Sequence, residues 1–323
     1  MGRKLKMEFA APQAKKLRVE EDSEPVRAQP LKLKKNNTIE QAFRRIAENC
    51  LAQVHGNECS VASGHDASSV HQMRVGLRRL RSAFDLFEDV IPVPASLQKE
   101  LQWIAGKLGA ARDWDVMIDS TLPTAFEGAP ADTHADALTQ AAIDISKRNR
   151  ARAAAAIGSV RYTRLIIELT RWLDGRAWRD AMNGDQLVSL DKAVTQFAGE
   201  TLRKRHRKLV KRGRHLPDLD ARRRHRARIA AKKLRYATEF FSSLYSKQVV
   251  RHYVAALSEL QDDLGWRNDV VVGDELLKAL AADHPQAAVG VGYARGYLAS
   301  RIAADHDMLE KLWKRFRRLS PPH

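Results

Sequence analysis

His71, Arg74, Arg78 and Arg81 stand at steps of three, four and three residues, and the same steps return 154 residues later in His225, Arg228, Lys232 and Arg235. On an α-helix this spacing keeps each quartet on one face. Guanidinium groups offer a planar fork of donors for bidentate contact with phosphate oxygens, lysine supplies a point charge, and imidazole donates a hydrogen bond or moves a proton. Like charges at helical spacing repel one another. Acidic partners enter each stripe only at Asp85 and Glu239. Two cationic stripes of this kind point to a polyanionic partner rather than to ordinary solvated helix faces. The two histidines read as donors or positioning groups. No nucleophile or general acid recurs at a matching place in both copies, so the chain reads as a binder and not as an enzyme.

A second repeated motif follows each stripe: Leu108-Gly109-Ala110-Ala111-Arg112-Asp113 and Leu264-Gly265-Trp266-Arg267-Asn268-Asp269, with Asp113 and Asp269 at an offset of 156. Asp113, Asp115 and Asp269 are hard-oxygen ligands suited to Mg²⁺, but one or two carboxylates per copy are few for a metal cage. The favoured role is ion pairing of Asp113 and Asp269 with Arg112, Arg267 or a stripe residue, which would aim the long cations. His55, Cys59 and His65 lack a zinc spacing. Neither a phosphate-cradling glycine loop nor an HExxH helix occurs, so no metal and no cofactor is expected. Arg203 and Arg207, within a basic run that extends to Arg212, join the candidate binding residues.

Positioning these groups requires helices. Asn37 or Thr38 can cap a helix in which Ile39, Ala42, Phe43, Ile46, Cys50 and Leu51 recur at helical steps. A counterpart from about Ser189 matches Ala42, Ile46 and Leu51 with Ala193, Phe197 and Leu202 at an offset of 151. Beside the first stripe, Met73, Leu77, Leu80, Phe84 and Phe87 form an apolar seam. A third helix ending near Gly109, and its copy ending near Gly265, follow the stripes, and longer helices run over about 135–173 and 287–319. No alternating apolar run demands a strand. The class is all-α: two duplicated antiparallel helical bundles packed as one unit, covering 37–185 and 186–323. Residues 1–36 have prolines and no helical period, which predicts a disordered basic tail.

Composition narrows the partner. Lysine and arginine number 56 against 39 acidic residues, a net charge of +17, which suits nucleic acid, an anionic surface or a phosphate polymer. Only 7% of residues are aromatic, few for the stacking platforms of single-stranded nucleic-acid binders. Apolar runs such as Leu165-Ile166-Ile167 are far too short to span a bilayer, and two cysteines suggest a reducing compartment. A cytoplasmic protein without membrane contact is expected.

The repeated H-x-x-R-x-x-x-[RK]-[RK]-L-R, followed by L-G-x-x-R-D or L-G-x-x-N-D, resembles the CHAD family of conserved histidine α-helical domains over about residues 37–319. The resemblance implies two helical bundles around a positively charged groove or pore, binding of inorganic polyphosphate, and association with polyphosphate granules. It assigns binding to His71, Arg74, Arg78, Arg81, His225, Arg228, Lys232 and Arg235. Many members carry a triphosphate tunnel domain ahead of this one, marked by E-x-E-x-K. Residues 1–36 lack that motif, so a stand-alone member is expected. Nucleic acid is the alternative partner, and a polyphosphate-processing enzyme is a third reading.

Overall fold

The helical periods become an all-α structure. The computed structural model describes residues 24–64, 67–304 and 306–323. Among the described residues there is no strand, and extended backbone pairs only in an isolated antiparallel bridge between Thr38 and Ala193. In chain order the helices are α1 (Ile39–His55), α2 (Glu58–Ser63), α3 (Ala67–Phe87), α4 (Ala95–Val116), α5 (Leu122–Phe126), α6 (Ala135–Ile157) and α7 (Val160–Asp174). They continue as α8 (Gly184–Leu190), α9 (Val194–Arg212), α10 (Ala221–Phe240), α11 (Lys247–Asp283), α12 (Ala288–Ala304) and α13 (His306–Phe316).

The bridge ties together the starts of α1 and α9. Ile39 N donates to Lys192 O at 3.0 Å and Val194 N to Asn37 O at 2.9 Å, which satisfies two amides that helix starts leave without internal partners. Thr38 and Gln41 add a capping box, each side chain accepting from the other's backbone amide. The bridge also fixes the register of the two helices: Ile39 matches Val194, an offset of 155. Ile39, Phe43, Ala47 and Val54 are buried, as are Val194, Ala198, Leu202 and Leu209 at the matching positions. The offset of 151 read from sequence was slipped by one turn, because a four-residue shift leaves a 3.6-residue period almost unchanged.

Residues 24–36 correct the expected tail. They run as an extended segment whose backbone finds side-chain partners in place of a ladder. Leu33 is buried; its amide donates to Ser243 Oγ at 2.8 Å, and that hydroxyl donates back to Leu33 O at 3.0 Å. Asn57 bonds both the amide and the carbonyl of Val26, and Asn49 donates to Gln29 O. These bonds satisfy backbone groups that would otherwise need water or regular structure. Residues 1–23 of the expected tail, like His65, lie outside the described residues.

The seam of α3 is buried as its spacing predicts, with Met73, Leu77, Leu80, Phe84 and Phe87 each at most 5% exposed. Gly76 lets α1 approach closely: a Cβ there would lie 2.9 Å from Val54 Cγ2 and 3.3 Å from Cys50 O. α4 and α11 do not stop at Gly109 and Gly265 but carry on through Asp113 and Asp269. Two cores result. One joins α1, α3, α7, α9, α10, α13 and the C-terminal end of α6 to the N-terminal parts of α4 and α11; the other joins the C-terminal parts of α4 and α11 to α5, α12 and the N-terminal part of α6. Each core draws on residues from both sides of position 185. Asp113 and Asp269 stand where their helices pass from one core to the other, between Ala111 and Trp114 and between Leu264 and Val270.

Candidate polyanion-binding site

α3 and α10 present the two stripes. Their C-terminal halves touch: Arg78 lies over the Tyr236 ring at 5.9 Å, Arg79 over Phe240 at 5.5 Å, and Asp85 pairs with Lys233. Arg205 of α9 joins the same carboxylate at 2.8 Å. The N-terminal ends of both helices lie away from these contacts, which puts His71 and His225 at the outer ends of the cluster. Arg79 and Lys233, off the stripe by one residue, serve packing. Arg79 donates to Gln53 at 3.0 Å and to Asn49 at 2.9 Å on α1, while Lys233 holds Asp85.

The cations between the two ends converge. Arg74 and Arg78 of α3 act electrostatically on both Arg228 and Lys232 of α10. Arg74 reaches Asp113 at 3.7 Å, and Arg228 reaches Asp269 at the same distance. This is the same ion pair in both copies, with the stripe arginine rather than Arg112 or Arg267 as the partner. Both separations exceed hydrogen-bonding range, so the guanidinium donors stay available. Asp113 itself is pushed up, first by burial and then by the nearby negative charge of Asp269, against the pull of Arg74. Among the described residues no cluster of three or more His, Cys, Asp or Glu could hold a metal ion.

Several donors in the cluster have no partner. Among the described residues, Nε of Arg78, Nε of Arg228 and Nδ1 of His71 are buried and find no hydrogen-bond partner. A buried polar atom left alone costs about 1–3 kcal/mol, which a ligand would recover. Burial, followed by repulsion from Arg112, Arg78 and Arg74, pushes His71 down to about 4, so it is neutral at physiological pH. Burial likewise pushes Lys232 down to about 7, reinforced by Arg228, Arg78 and Arg74 against the pull of Asp269. At the other end His225 Nδ1 meets Asn268 Oδ1 at 2.8 Å, an orientation in which the imidazole donates. Arg112 occupies the matching place beside His71.

Other predicted residues lie apart. Arg81 is exposed. Arg235 donates to Glu239 at 2.7 Å, one turn along its own helix, and reaches Gln261 of α11 at 3.4 Å. Arg203 lies near Tyr245 and Arg207 is exposed on α9, whereas the charges acting on Arg74, Arg228 and Lys232 come from α3, α4, α10 and α11. Sequence periodicity missed Tyr236 because its matching position, Ser82, is not aromatic. It also missed the buried Arg267–Asp263 pair at 2.8 Å, an ordinary i,i+4 spacing on α11 that became visible only with burial. Buried Asp115 serves structure, held by Arg150 at 2.7 Å and by Ser146 at 2.9 Å.

No helix among the described residues is long and apolar enough to cross a membrane. No curated protein matches the chain. The crystal structure of the CHAD domain from the plant Ricinus communis is similar at 39% identity and TM-score 0.82, covering 94% of this chain and 99% of that one. PptA from Streptomyces chartreusis shares the fold at TM-score 0.61 and 14% identity, covering 85% of this chain and 98% of that one. The CHAD domain family model matches residues 45–278. With a repeated stripe, a repeated Arg–Asp pair and that match across most of its length, the chain belongs to the CHAD domain family.

Proposed function

We propose that the protein binds inorganic polyphosphate along the cluster of Arg74, Arg78, Arg228 and Lys232, with His71 as a donor at one end and His225, its Nδ1–H held by Asn268, as a positioning group at the other. The observation that carries this reading is the convergence of four cations from α3 and α10 while two of their guanidinium Nε atoms are buried and unpartnered. A chain of phosphates without bases asks for charge-assisted donors and no base-reading groups, and the cations of this cluster are of that kind. Binding rather than turnover, and residence in the cytoplasm at polyphosphate granules, belong to the same proposal.

Competition between long-chain polyphosphate and duplex DNA of equal total charge, at about physiological ionic strength, tests it. Polyphosphate should displace the DNA. Equal or tighter binding of DNA would replace this reading with the nucleic-acid one.

A further inference from the structure

The two ends of the cluster differ. Beyond His225, the start of α10 and the middle of α11 enclose a cavity of about 330 Å³, lined by Arg222, Arg224, His225, Arg228, Arg267 and Asn268 with an apolar wall. At the matching offsets of 154 and 156, the His71 end carries Ser68, Val70 and Ala111 where this end has Arg222, Arg224 and Arg267. Arg112, at the place of Asn268, is the one cation there without a counterpart. Within the cavity Arg267 stays paired with Asp263, and Arg228 lies 3.7 Å from Asp269. Asp220 is occupied in capping α10, accepting from Arg223 N at 2.7 Å. Arg222 is exposed, and Arg224 reaches Pro217 O at a long 3.4 Å. The start of a 20-residue helix adds its positive dipole end to these side chains.

We propose that this cavity receives a terminal phosphate of the chain held by the central cluster, so that the protein holds polyphosphate by one of its two identical ends. The inference rests on the polyphosphate reading above. An internal phosphate has one charge and two free oxygens. A terminal one has three free oxygens and, with a second pKa of about 6 by analogy with phosphate esters, nearly two charges at neutral pH. Extra arginines at one end of the cluster match that extra charge, and their planar forks suit its additional oxygens.

The test uses linear polyphosphate of defined length and the same chain with both ends blocked as phosphoramidates, titrated calorimetrically into the whole protein near neutral pH. The linear chain should bind about tenfold or more tightly, the scale of one charge-assisted contact. Arg222→Ala/Arg224→Ala should reduce the linear chain to the affinity of the blocked one while leaving the blocked one unchanged. Arg222→Ala alone, at an exposed side chain, should remove part of the difference and guards against misfolding of the double variant. Equal affinities of the two chains for the unaltered protein, or equal weakening of both by the double variant, would overturn the end pocket while leaving the central site intact. If neither chain binds, the polyphosphate reading has failed and the pocket with it.

Discussion

Lys232 should make polyphosphate binding depend on pH in a window where little else titrates. Burial and three arginines push it down to about 7, against about 10.4 for a free lysine. In the folded protein it is therefore mostly neutral above about pH 8, whereas in the unfolded chain it stays charged to about pH 10. With the folded value depressed, its effect on stability is most favourable above the unfolded pKa and is lost as pH falls through the folded one, so stability rises with pH across that window. A polyanion reverses the repulsion and restores the charge, so binding takes up a proton. With the bound lysine fully charged, raising the pH from 7 to 8.5 should weaken affinity about 16-fold. His71, pushed down to about 4, titrates well below this window, and terminal phosphates, at about 6, are mostly ionised throughout it. Calorimetry in buffers of different ionisation enthalpy should find about half a proton taken up at pH 7 and nearly one at pH 8.5. Lys232→Arg, charged throughout, should flatten the profile and hold its affinity at pH 8.5. An unaltered protein that takes up no proton at that pH, or a Lys232→Arg variant with the same profile, would refute the reasoning.

Further outcomes follow from the same geometry. Gly76→Ala should destabilise the fold by about 1–3 kcal/mol in denaturant titration, because its Cβ would press on Val54 where α1 meets α3. Incubation with polyphosphate and Mg²⁺ or Mn²⁺ should release no phosphate above background; turnover that Asp113→Asn or Asp269→Asn abolishes would make the protein an enzyme. Arg81→Ala, Arg203→Ala and Arg207→Ala, which alter exposed cations away from the cluster, should each change polyphosphate affinity less than about threefold at physiological salt.

The stripe positions Arg74, Arg78, Arg228 and Lys232 were legible because three- and four-residue steps put them on one helix face, and the Asp113 and Asp269 pairs because they recur beside it. Spacing alone could not show what Arg81 and Arg235 touch: Arg81 is exposed, and Glu239, one turn along α10, captures Arg235. Arg203 and Arg207 sit on α9, whereas the largest charges acting on the central cations come from α3, α4, α10 and α11. The α1–α9 register needed the bridge at Thr38 and Ala193, since the basic face of α9 leaves few apolar residues to fix its phase. Docking of residues 24–36 depends on Ser243 and Asn57, side-chain partners remote in sequence that no local period encodes.

The central claim is that the two stripes form one site. Affinity for long polyphosphate, measured across a series of salt concentrations, should fall sharply for Arg74→Ala/Arg78→Ala and equally for Arg228→Ala/Lys232→Ala. Two charge-assisted contacts at about 1.5–3 kcal/mol each imply a loss of about a hundredfold or more per pair. Each pair should also flatten the slope of log affinity against log salt by about 1.5, as fewer counterions are released. Short oligophosphates, unable to engage both stripes at once, should lose much less per pair. A protein in which one pair is silent while the other abolishes binding would contradict the shared site.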